Sequence, residues 1–108
     1  MKKIIMLMLG IILTFNVSAD AAKGQKYYLK YMRPYLEVNG QEFASAHLKV
    51  EWKRMFKSDA KRFIKKYAKK YPDAAEYLNS DDFQKIAPDL ADFAIKYAAD
   101  SGELASCN

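Results

Sequence analysis

From residue 20 onward, apolar side chains recur at three- and four-residue intervals. That period lays them along one stripe of a helix, whereas a half-buried strand requires a period of two. Glycine and proline number only four and three in the chain, and most fall between the periodic stretches rather than within them. The residues that fill the stretches, chiefly Ala, Lys, Leu, Glu and Gln, are good helix formers. The expectation is an all-α domain, a small orthogonal helical bundle.

Asp20 is placed to cap a first helix running to Met32, with Gly24, Tyr28, Tyr31, Met32 and Tyr35 on its inner side and Arg33-Pro34 as its stop. Asn39-Gly40 predicts a tight turn with positive φ. Phe43, Ala44, Leu48, Trp52, Met55 and Phe56 predict a short helix and then another, broken near His47. Ser58-Asp59 opens the next, lined by Phe63, Ile64, Tyr67, Ala68 and Tyr71, and Pro72 closes it. A short segment over 74–78 leads to Ser80, the cap of a helix over 81–86 whose first-turn acids suit the helix dipole. Pro88 is placed to begin a last helix, lined by Leu90, Phe93, Ala94, Tyr97 and Ala98, and Gly102 to end it. Residues 103–108 read as a loose tail.

The first nineteen residues have a different grammar. Lys2 and Lys3 precede an apolar run from Ile4 to Phe15, and Val17-Ser18-Ala19 follows with small residues. This is the pattern of a secretory signal peptide cut after Ala19. The run of about twelve apolar residues is too short for a membrane span, which needs about 20. Cleavage leaves 89 of the 108 residues, one domain's worth, destined for the periplasm or for secretion. Two lysines leave with the leader, so the formal charge falls from +5 to +3. A nucleic-acid binder concentrates a larger excess, and nucleic acid is not the expected partner; another periplasmic protein is.

Chemistry-bearing residues are few. His47 is the single histidine and Cys107 the single cysteine, so neither a zinc site nor an internal disulfide can be assembled from Cys and His. No catalytic residue and no metal ligand is assigned, and a non-enzymatic protein is expected. Cys107 is a candidate for an intermolecular bridge in an oxidising compartment. Lys61, Arg62, Lys65, Lys66, Lys69 and Lys70 cover the outer side of one helix. They read either as an ordinary solvated face or as a docking face for an acidic partner or an anionic membrane surface. Tyr27, Tyr28, Tyr31 and Tyr35 read as core rather than as an aromatic binding surface.

The helix order resembles that of small exported class I cytochromes c. Gly24-Gln25-Lys26-Tyr27-Tyr28 is similar to the opening glycine and aromatic pattern of that family, Asn39-Gly40 to the glycine-bearing stretch after its haem motif, and Pro88 to Tyr97 to its closing helix. The resemblance implies a glycine that lets the first and last helices approach closely. The positions of the haem attachment segment, however, hold Met32-Arg33-Pro34-Tyr35-Leu36, and the distal Met-Pro is Ala87-Pro88. Thioether attachment needs two thiols and the iron an imidazole, so the resemblance implies a haemless relative with no cofactor, an accessory or partner of a redox system. Two alternatives stand beside it: an electron carrier holding haem non-covalently through His47, Met32 or Met55, and a cationic secreted binding or inhibitor protein.

Overall fold

The computed structural model describes residues 20–105; residues 1–19, expected to be a leader, and Cys107 lie outside the described residues. Within them the chain is helical and contains no strand. Helix α1 (Ala21–Tyr27) begins under the Asp20 carboxylate, which accepts hydrogen bonds from the N–H groups of Ala22 and Lys23 at 2.8 and 3.3 Å. These are two of the donors that a helix start leaves without intrahelical partners.

Arg33-Pro34 does not end this helix. The chain runs from α1 through a π-helical turn, Tyr28–Met32, into α2 (Arg33–Leu36). In a regular α-helix the ring of Pro34 would strike the carbonyl four residues back. The wider turn, in which the Arg33 N–H reaches the carbonyl of Tyr28, accommodates it. It also changes the phase of the buried side. Gly24, Tyr28, Met32 and Leu36 are all buried, at strict four-residue spacing, over which an α-helix would drift by about 40° per step. The π turn offsets part of that drift, so Leu36 enters the core and Tyr35, expected inside, is exposed.

The turn at Asn39-Gly40 also differs from expectation. Positive φ falls on Glu37 (60°), and Asn39 is an extended N-cap whose side chain accepts from the Glu42 N–H at 2.8 Å, starting α3 (Gly40–Ala44). Space favours glycine at position 40 instead: a Cβ there would stand 3.0 Å from the ring of Phe93, closer than ordinary contact.

The expected break near His47 separates α3 from α4 (Lys49–Lys70). Two carboxylates hold the start of α4, Glu51 accepting from the Leu48 N–H at 2.8 Å and Asp100 from the Lys49 N–H at 2.9 Å. Ser58 is not an N-cap. Lys57 is extended, and Ser58, Asp59 and Ala60 follow in the left-handed region at φ 54°, 60° and 63°, dividing α4 into two arms. A 3-10 turn (Pro72–Ala74) and α5 (Ala75–Leu78) lead to α6 (Asp81–Lys96), capped by the Ser80 hydroxyl, which accepts from the Phe83 N–H.

Pro88, expected to start a helix, lies inside α6 and is exposed. An interior proline costs about 3 kcal/mol, but Phe83, Ile86, Ala87, Leu90, Phe93 and Ala94 form one buried stripe through it, and packing that stripe favours a single helix. Gly102, at φ 78°, lies beyond the end of α6 in a turn of the tail. The tail is held as far as Ala105: the Ala99 N–H donates to the His47 carbonyl at 3.0 Å, and the N–H of buried Ala105 donates to the Gln41 side chain at 2.6 Å.

Helices α1 and α6 cross at Gly24. A Cβ at that position would overlap the Asp89 carbonyl and lie 2.7 Å from the Phe93 Cβ, so only a glycine lets the two backbones meet. Beside the crossing the core is aromatic. The Phe43 ring lies 4.5 Å from that of Tyr28, 4.9 Å from Trp52 and 6.0 Å from Tyr67. Two of its polar groups are paired, the Tyr28 hydroxyl donating to the Val38 carbonyl and the Trp52 indole to that of Ala44, as burial favours.

Candidate cationic face and cavity

Of the eighteen basic residues in the chain, ten lie on α4, which carries only two acids. The local balance is therefore +8, against +3 for residues 20–108 together, and the remainder of that stretch is acidic. Segregation of this degree is a property of the fold: the apolar stripe of α4, Trp52, Met55, Phe63 and Tyr67, faces the core, which leaves the cations on the outside. Lys61, Arg62, Lys65, Lys66, Lys69 and Lys70 are all exposed. Among the described residues the ion pairs are His47–Glu51 and Lys85–Asp82, so none of the α4 cations has a carboxylate within bonding distance. Lys70 lies over the Tyr71 ring at 5.5 Å.

The left-handed turn gives this face relief. Arg54, Lys57, Ser58, Lys61 and Arg62 line a cavity of about 290 Å3. Phe56, Asp59, Ala60, Gln84, Ala87, Pro88 and Ala91 line a second on its other side, and the Gln84 side chain ties α6 to the turn by donating to the Asp59 carbonyl at 2.9 Å. A third, about 420 Å3, runs along Ile64 and Ala68. Arg54, Lys57 and Ser58 did not figure among the candidate residues read from sequence. The charge of the whole segment 49–70, taken as one unit, would have drawn attention to them.

His47 and Met55 share a cavity of about 290 Å3 with Glu51, Arg54, Arg62 and Lys66. The imidazole sits edge-on to Trp52 at 4.9 Å, with Nδ1 3.6 Å from Glu51. Its pKa is lowered, first by burial and then by the charge of Lys66, with Glu51 acting in the opposite direction. Met32 is fully buried in the π turn and does not line that cavity. Of the tyrosine group Tyr28 is core, Tyr27 and Tyr31 are half-buried and Tyr35 is exposed. Tyr31 stacks on Tyr77, whose hydroxyl pKa is pushed up to about 12 by burial. No group of three or more His, Cys, Asp or Glu suited to a metal occurs among the described residues, and no helix there is long and apolar enough to cross a membrane.

Comparison with known protein families, curated proteins and solved structures finds no match for this chain.

Proposed function

We propose that this is a non-enzymatic exported binding protein, a haemless relative of cytochrome c in its helix order, that docks the basic face of α4 on an acidic surface of a partner protein in the periplasm. The observation that carries the reading is the charge segregation on α4. Ten cations on one element, exposed and without carboxylate partners among the described residues, set up a field that a complementary acidic surface would satisfy. The Gly24 crossing supports the cytochrome-like part, since it is the close approach of first and last helices that the resemblance implies. Charge reversal at Lys65 and Lys69, both exposed, tests the docking. Partners crosslinked in periplasmic extract at low salt should be lost on reversal and weakened by added salt, as screening requires. Capture of the same proteins by wild-type and reversed forms would defeat the reading.

A second reading, non-covalent haem, draws on the cavity that His47 shares with Met55. Burial and Lys66 favour the neutral imidazole, the form that can ligate iron. Absorbance in the Soret region after haem addition, lost in His47→Ala, is its expected signature; an unchanged free-haem spectrum would remove it.

A further inference from the structure

We infer that the cavity at the left-handed turn of α4 is a binding site for a phosphoryl anion. Arg54, Lys57, Lys61 and Arg62 line it together with Ser58, and no acid does. In an uninterrupted helix these five residues, spaced i, i+3, i+4, i+7 and i+8, would form a convex stripe roughly 12 Å long, with each cation projecting separately into solvent. Three successive non-glycine residues in left-handed conformation break the helix at the middle of that stripe, so cations from both arms and the Ser58 hydroxyl border a single concavity. The arginine forks match a planar or tetrahedral oxyanion through paired N–H donors. Four cations favour a group of multiple charge, and a phosphate monoester, with about −2 and three acceptor oxygens near neutrality, satisfies them better than a carboxylate.

The site stands on the cavity and its lining, so it holds whether or not α4 also docks a protein. Phosphoryl groups reach an exported protein either in solution or on lipid headgroups, and the chemistry recognised is the same. Calorimetric titration at constant ionic strength with pyrophosphate and with inorganic phosphate, using sulfate and chloride as competitors, reads the first source. Flotation with vesicles containing phosphatidic acid, whose headgroup is a phosphate monoester, against neutral phosphatidylcholine vesicles, reads the second.

The expected result is saturable one-to-one binding in at least one arm, weakened tenfold or more by Arg54→Gln with Lys57→Gln. Lys69→Gln with Lys70→Gln, which removes equal charge outside the cavity, should change it less than twofold. All four positions are exposed, and circular dichroism confirms that both variants fold. Saturable binding to pyrophosphate without flotation identifies a soluble ligand, and flotation that follows the cavity variant identifies a headgroup. Equal loss in the two double variants, or no saturable binding in either arm, overturns the proposal.

Discussion

Gly24 is the residue on which the packing of this domain turns. Its place in α1 puts the Asp89 carbonyl and the Phe93 Cβ where a side chain would have to be. Both belong to α6, and one is backbone that cannot swing aside. Gly24→Leu should destabilise the domain by about 1 to 3 kcal/mol through overpacking, even though leucine favours a helix over glycine by nearly 1 kcal/mol. A urea titration in which the variant equalled or exceeded wild type would show that α1 and α6 do not meet there. His47 gives a second prediction at this scale. Its folded pKa lies below its ordinary value, first because of burial and then because of Lys66, so the unfolded chain binds the proton more readily. The neutral form's contribution is complete above the unfolded value of about 6.5 and is lost as pH falls through it toward the lower folded value. The urea midpoint should therefore fall between pH 7.5 and 5.5, and His47→Gln should flatten that part of the profile; an equal slope in the variant would assign it to other groups.

At the scale of elements, the helices formed by strong apolar periodicity were legible in the sequence, and their ends were less so. Asp20 and Ser80 act as caps as expected, because a short polar side chain before a periodic run has one good use there. Both interior prolines misled in the same way. Pro34 is accommodated by a π turn and Pro88 by the buried stripe of α6, and in each case tertiary packing outweighs a local penalty that the sequence displays more plainly than its compensation. The cationic face was half legible: the lysines after residue 60 stand out, whereas Arg54 and Lys57 join them through a turn that no glycine announces. That turn supports its own prediction. Ser58 is exposed and at φ 54°, a conformation that costs an L-residue about 1 to 2 kcal/mol and glycine almost nothing. Ser58→Gly should accordingly leave the domain as stable as wild type or stabilise it, by up to about 1 kcal/mol after glycine's greater unfolded-state entropy. A loss of 1 kcal/mol or more in thermal or urea unfolding would mean that the segment is a regular helix in solution.

For the molecule as a whole, the covalent form of its N-terminus bears on how firmly the bundle closes. The Asp20 nitrogen donates to the Asp89 carboxylate of α6 at 2.7 Å, across sixty-nine residues of sequence and at the same crossing that Gly24 permits. In the precursor that nitrogen is a peptide N–H. Cleavage after Ala19, as we propose from the leader pattern, would make it an α-ammonium. An ammonium at the start of α1 is unfavourable toward the positive end of the helix dipole, and a carboxylate 2.7 Å away offsets this by a charge-assisted hydrogen bond. The bond is partly buried, so its strength should exceed that of a freely exposed pair, which is worth at most about 1 kcal/mol. Asp89→Asn should then cost more in a protein that starts at Asp20 than in one that retains Ser18-Ala19 ahead of it, by about 1 kcal/mol. The difference should shrink as salt is added, because one of the two costs is Coulombic. Urea titrations of the four proteins at low and high salt measure it directly, and equal costs of Asp89→Asn in the two backgrounds would show that Asp89 serves the closed bundle only as a neutral acceptor, indifferent to processing.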